Sequence, residues 1–136
     1  MSDDARADLE RLVLDFTDCF NQDDLDGVMA YFTEDSVYDE FNGNRSEGKA
    51  AIRAAFEPQF RGDFGTIRFH QEDLILDPDA GKALISWTCS LDRDDNHNAS
   101  HNASHKTWRG LDILHFRDGK LTVKQTYAKA DKPRLT

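Results

Sequence analysis

The chain has 136 residues, with 17 Lys and Arg against 26 Asp and Glu, so its formal net charge is −9. That length suits one domain with a core of its own. An acidic chain without a basic stripe opposes binding to nucleic acid or to an anionic membrane surface.

Nine Phe, three Tyr and two Trp supply bulky material for a core or a pocket. Cys19 and Cys89 each sit among apolar residues and read as reduced core thiols rather than a disulfide. The N-terminal stretch "MSDDARADLE" has no apolar run, so no signal peptide is expected. No segment reaches the length of a membrane span. A cytoplasmic protein is the expectation, in which the sequons at Asn98 and Asn102 carry no glycan.

In chain order, Leu9, Leu12, Val13, Phe16 and Phe20 recur at helical spacing, with Ser2 to Asp4 to cap and charge the start. Leu25, Val28, Met29 and Phe32 predict a second helix behind an Asp23 or Asp24 cap. "SVYDEF" (36–41) reads as a short strand. A third helix is predicted over 46–60, capped by Ser46, with Ile52, Ala55, Phe56 and Phe60 on one face; Pro58 should end or kink it.

The second half is strand-like. Segments 66–77 and 82–92 are joined by the turn "PDAG" at 78–81, and segments 106–116 and 120–128 by Asp118-Gly119, a strong hairpin signal. Helices followed by a four-strand meander predict an α+β domain over residues 1–136, with helices on one face of a mainly antiparallel sheet.

The tract "HNASHNASH" holds His97, His101 and His105 four residues apart. Such spacing can bind metal on a helix, but the companions are Asp, Asn, Ser and Ala without apolar periodicity. It reads as part of a long polar hairpin loop over 93–106, so metal binding there would be adventitious and no metal site is expected.

The order α-α-β-α-β-β-β-β resembles the NTF2-like superfamily, in its SnoaL-like and ketosteroid isomerase-like branch. The likeness is carried by "FNQDDLDGVMAYFTEDSVYDEFNG", "GKAAIRAAF" and "GLDILHFRDGKL", and spans about residues 8 to 129. It implies a cone: three helices wrapped by a curved sheet around a deep apolar pocket, usually in a homodimer. It is weaker for the reaction, because the fold hosts isomerases, cyclases, dehydratases, hydrolases and binding domains. The catalytic-base Asp of the isomerases falls on Glu40, with Asp39 one step away, and their oxyanion Asp falls on Asp112. In the polyketide cyclase branch the acid/base Asp also belongs to that strand. The oxyanion Tyr of the first helix falls on Phe16, which counts against ordinary steroid isomerase activity. The Asp–Arg–Asp set of limonene epoxide hydrolases finds no clear match.

The residues themselves support two readings of each candidate. On strand 107–116, Trp108, Gly110, Asp112, Leu114 and Phe116 share a face. A mid-strand Asp among apolar neighbours is either a desolvated neutral acid able to donate to an enolate, or a structural partner of a cation or backbone amide. Glu40 shares parity with Tyr38, which offers a general base and a hydroxyl donor; the alternative for Glu40 is a solvated loop carboxylate. Strict alternation in "KLTVKQTYA" turns Leu121, Val123, Gln125 and Tyr127 inward and Thr122, Lys124 and Thr126 outward. Gln125 and Tyr127 are then candidate pocket groups, although Tyr127 also suits core packing. Phe16, Phe20, Phe56, Phe60, Trp87 and Trp108 are pocket wall or core. His70 can face either way.

The function implied is binding of a small to medium hydrophobic ligand, with isomerase- or cyclase-type chemistry by proton abstraction next to a carbonyl. The sequence has no Gly-rich phosphate loop and no Cys/His ligand set, so no cofactor is expected. The alternative is a non-catalytic ligand-binding or dimerisation module. Convergence of two titratable groups in the cavity distinguishes the two. Strand 107–116 is apolar on both faces, which predicts a homodimer.

Overall fold

The computed structural model describes residues 2–93 and 104–129. Among these, the elements run α1 (Ser2–Asn21), α2 (Leu25–Met29), β1 (Phe32–Asp39), β2 (Arg45–Glu47), α3 (Lys49–Phe60), β3 (Thr66–Asp77), β4 (Lys82–Arg93), β5 (Ser104–Arg117) and β6 (Lys120–Ala128). The strands form one curved, unclosed mixed sheet in the order β2-β1-β6-β5-β4-β3. This is the α+β architecture that the patterning predicts.

Strands β3 to β6 pair antiparallel as consecutive hairpins. At the β5–β6 turn, Asp118 has φ 52° and Gly119 φ 77°. A two-residue turn that follows the twist of its strands needs two left-handed residues, which is why Asp-Gly suits it. Strand β1 lies parallel to β6, and β2 extends the sheet beyond β1. Helix α3 then carries the chain from the β2 edge to the β3 edge.

Leu9, Val13, Phe16 and Phe20 form the buried stripe of α1. They meet Val28 and Met29 of α2, Ile52 and Phe56 of α3, and Ile85, Leu114, Phe116 and Leu121 of the sheet. Burial of each large side chain is worth about 1.5–3 kcal/mol. Asn21 clamps the end of α1 to β3: its Nδ2 donates to the Phe69 carbonyl at 2.9 Å and its Oδ1 accepts from the Phe69 N–H at 2.8 Å. Asp24 caps α2, accepting from the Gly27 N–H at 2.9 Å.

Several boundaries differ from the sequence reading: β1 covers 32–39 rather than 36–41, β2 has no counterpart in it, and α3 begins at Lys49 rather than at 46. Phe32, placed on the second helix by its spacing, is the first residue of β1 and is buried. The Leu121 N–H donates to the Tyr31 carbonyl at 2.7 Å, so pairing with β6 captures the backbone there and overrides the helical period. Ser46 lies in β2, paired with Tyr38, and does not cap α3; Gly48 takes the cap position at φ 91°. Pro58 sits in the last turn of α3, two residues before its end.

A bulge in β6 has larger consequences. His115 pairs with Val123 while Phe116 pairs with Leu121, which leaves Thr122 as an extra residue. Its Oγ1 donates to the His115 carbonyl at 3.1 Å. Since side chains alternate with period two, one inserted residue moves all that follow to the opposite face. Leu121 points into the core, and so do Lys124 and Thr126. Gln125 and Tyr127 turn to the outer face, where Gln125 Oε1 accepts from His115 Nε2 at 2.9 Å and Tyr127 is exposed. The inward placement of Val123, Gln125 and Tyr127, and the outward placement of Lys124 and Thr126, are thereby corrected. Strand β1 is irregular at the same level, where the buried Ser36 hydroxyl donates to the Leu121 carbonyl at 2.7 Å and accepts from the Thr33 N–H at 2.8 Å.

Residues 94–103, with His97 and His101, lie outside the described residues. His105, placed in the 93–106 loop by the sequence reading, is instead the second residue of β5, where register with β4 captures it, and it pairs with Asp92 at an exposed position. No helix among the described residues is long and apolar enough to cross a membrane.

Candidate functional site

A cavity of about 450 Å³ lies between α1, α3 and the inner face of the sheet. Phe16, Thr17 and Phe20 line it from α1, and Ala55, Phe56 and Gln59 from α3. The sheet adds Tyr38, Phe69, Trp87, Cys89 and Trp108. Phe41 and Phe64 stand at the rim and are exposed. The aromatic walls are held mostly edge to face, as between Phe16 and Phe20 at 5.3 Å and between Phe69 and Trp87 at 5.0 Å. Phe60 is not among the lining residues. It lies one position past Gln59 on α3 and packs against Phe20 at 5.5 Å, behind the wall.

One polar cluster interrupts this wall. Asp112 accepts three hydrogen bonds: Lys124 Nζ at 3.1 Å and Thr126 Oγ1 at 2.6 Å on Oδ1, and Trp87 Nε1 at 3.1 Å on Oδ2. Lys124 also donates to Thr126 Oγ1 at 2.7 Å. The Asp112 and Lys124 side chains are 12% and 6% exposed, so the ion pair is almost wholly withdrawn from water. Acceptance from three donors is the bonding of a carboxylate anion, not of the neutral donor that a mid-strand Asp suggested. Of the two readings, Asp112 has the partnered one.

Gly110 makes this cluster possible. It pairs with Trp87 across β4 and β5. A Cβ on Gly110 would lie 2.4 Å from the Trp87 ring and 2.5 Å from the Tyr127 carbonyl oxygen. The missing side chain lets the indole lie across β5 and reach Asp112, two register positions on.

Burial alone would lower the pKa of Lys124, but the charge of Asp112, joined by its hydrogen bond, outweighs it and holds the value above the usual 10.5. The ammonium is therefore charged. Its Nζ lies 4.5 Å from the centroid of the Tyr38 ring and 5.7 Å from those of Phe20 and Phe56. Tyr38 stacks on Phe56 at 4.8 Å, and burial pushes its hydroxyl pKa up. Burial also pushes the Cys89 thiol up to about 12, which makes it a poor nucleophile.

Glu40 opens on the same cavity, with Oε2 accepting from Ser46 Oγ at 3.2 Å. Its neighbour Asp39 pairs instead with Arg45 at 3.4 Å, outside the cavity. His70 bonds Ser90 Oγ at 3.1 Å and is not a lining residue. Among the described residues, no three His, Cys, Asp or Glu side chains gather as a metal-ligand group.

Sequence reasoning missed Lys124 and Thr126. The signal that finds Lys124 is electrostatic: a buried Asp112 needs a cation within reach, and the adjacent strand offers Lys124 near its level.

Helices cupped by a curved sheet around an aromatic cavity define the NTF2-like fold, and solved structures share it over nearly the whole chain. A protein from Xanthomonas campestris pv. campestris, provisionally assigned as a polyketide cyclase, is 20% identical over 92% of this chain and 93% of its own, with a TM-score of 0.73. An NTF2-like protein of unknown function from Mesorhizobium loti is 19% identical over 92% and 93%, with a TM-score of 0.70. SalBIII, an epoxide hydrolase/cyclase-like enzyme of pyran ring formation in the polyether salinomycin, is 15% identical over 89% and 90%, with a TM-score of 0.73. At these identities the likeness concerns the fold. No relative is detected by sequence among curated proteins. Residues 13–124 match the SnoaL-like domain, and the chain belongs to that family.

Proposed function

We propose that the cavity binds a small to medium hydrophobic carbonyl compound and catalyses proton abstraction next to the carbonyl, in an isomerisation or cyclisation that uses no cofactor. The observation that carries this reading is the convergence of Glu40, Asp112 and Lys124 on one aromatic-walled cavity. A pocket that only binds apolar ligands gains nothing from a buried ion pair, which costs desolvation that apolar side chains avoid. Glu40 is the base. Its carboxylate takes the proton, the C–H electron pair moves into the carbonyl, and an enolate forms. Glu40 then returns the proton at another carbon, or the enolate carbon attacks an electrophilic carbon of the same ligand. Asp112, already bonded to three donors, is a positioning residue rather than a second base. The polyketide cyclase assignment and the cyclase-like activity of the structural neighbours support this class of reaction.

In this reading the protein works as a homodimer. The outer sheet face carries Ile75 at 62% and Tyr127 at 54% exposure, beside half-buried Leu84, Leu111 and Ile113. A second copy covers that face and leaves the cavity open.

The test is washout of the α-protons of hydrophobic ketones in deuterated water, followed by proton NMR. Glu40→Gln should slow the exchange about 10²–10⁴-fold, the usual contribution of a general base. Ketones that bind without any exchange would make the protein a binding module instead.

A further inference from the structure

We infer that Lys124 is the group that stabilises negative charge on the ligand, and that the cavity selects a neutral ligand whose oxygen becomes anionic during reaction. The inference rests on the reading of the cavity as a site for carbonyl compounds and names the group that reading leaves open.

An ammonium has three N–H donors. Lys124 gives one to Asp112 and one to Thr126. Among the described residues the third has no hydrogen-bond acceptor. Nζ lies instead beside the rings of Tyr38, Phe20 and Phe56, and all three rings line the cavity. A ligand oxygen that entered this aromatic surround would find a charged donor on a strand, held in place by two hydrogen bonds. Such a bond to an anion is short, about 2.8 Å, and roughly twice as strong as one between neutral groups.

The charge count gives the selectivity. Lys124 and Asp112 cancel, so Glu40 leaves the cavity with one net negative charge. A ligand that is already a carboxylate adds a second and is repelled. A neutral ketone adds none. When Glu40 takes its proton, Glu40 becomes neutral and the negative charge passes to the ligand oxygen. Total charge is unchanged, but its new position is against the ammonium. Asp112 serves here by keeping Lys124 protonated and aimed. Removal of Lys124 should therefore raise the barrier to enolate formation more than it weakens ketone binding.

The experiment uses 4-nitrophenol, a stable mimic of an enolate, whose visible absorbance distinguishes phenol from phenolate. Glu40→Gln supplies the neutral base of the state after proton transfer. With this variant in excess, the bound nitrophenol should favour phenolate at least about tenfold more than it does in water, a one-unit change in its ionisation. Glu40→Gln/Lys124→Met should lose that preference. Because the double variant can fail to fold, Glu40→Gln/Tyr38→Phe provides a second test, and there the preference should persist. Bound nitrophenol that ionises as it does in water, or less readily, overturns the role of Lys124 and leaves the cavity reading standing. Loss of the preference in the Tyr38→Phe variant also overturns it and transfers the role to the Tyr38 hydroxyl. Failure of nitrophenol to bind at any pH removes the cavity reading and this inference together.

Discussion

On the inner face of β4, β5 and β6 the polar groups form one connected set: Asp112, Lys124 and Thr126, with the indole N–H of Trp87. On the outer face they occur as separate pairs: His115 with Gln125, His70 with Ser90, and Arg109 with Glu72. The difference follows from water. A buried polar atom without a partner costs its full desolvation, so a set excluded from water has to be complete. The outer pairs are wholly or partly exposed, and apart from the buried Ser90 their members are free to exchange a partner for solvent. The same strands thus carry one polar unit that behaves as a whole and several that are independent.

That contrast can be broken at the inner face first, where the largest effect is expected. Asp112→Asn leaves the Lys124 ammonium buried without its anion, and should cost about 3–5 kcal/mol at pH 7 by urea unfolding. A neutral Asp112 would instead have let the Asn variant hold or gain stability. Asp112→Leu combined with Lys124→Met should recover part of that loss but not all of it, because an apolar replacement removes the two buried charges yet leaves the Trp87 N–H and the Thr126 hydroxyl without partners. A double variant as unstable as the single would show that the pair is not the unit described.

The pair also has a pH signature. The folded pKa of Lys124 is raised above 10.5. Its contribution is therefore complete below that value and is lost as pH rises through the folded pKa. Lys124 and Asp112 both act on the Tyr38 hydroxyl, so Tyr38 is replaced by Phe in both proteins to keep its ionisation out of the comparison. The protein with the intact pair minus the one with the double substitution, measured as urea midpoints, should be level up to about pH 10 and fall above it.

Gly110→Ala tests the same face through packing. The added methyl meets the Trp87 ring and a backbone oxygen that cannot move aside. A loss of about 1–3 kcal/mol is expected, as for other overpacked cores. Retention of full stability, read from the thermal midpoint, would mean that Trp87 has another place to go.

The outer face should respond least. Arg109→Ala removes an exposed ion pair at 3.1 Å and should change stability by less than about 1 kcal/mol. Ile113→Glu should alter assembly rather than folding. Light scattering should give about twice the 15.5 kDa chain mass for the wild type and a single mass for the variant. A wild type that is monomeric at micromolar concentration would leave the outer apolar residues without a cover.

The sequence alone determined the elements whose cause is local. Leu9, Val13, Phe16 and Phe20 mark the buried side of α1 by spacing, and Asp118-Gly119 marks its hairpin by backbone preference. The bounds of β3 and β6 follow from alternation between turn residues. Asp112 and Glu40 were legible as cavity-facing residues because β5 and the end of β1 keep their parity. What tertiary structure decided was everything beyond the Thr122 bulge and everything set by the parallel pairing of β1 with β6. Strand-to-strand register fixes the bulge, so a period-two reading of β6 taken alone turns Lys124 outward. The same pairing draws Phe32 out of a helical pattern and sets Tyr38 beside Lys124. Helical spacing and turn preference act within a few residues of chain. The cavity's cation depends on hydrogen bonds between segments more than eighty residues apart, as from Ser36 to Leu121, and no local pattern contains them.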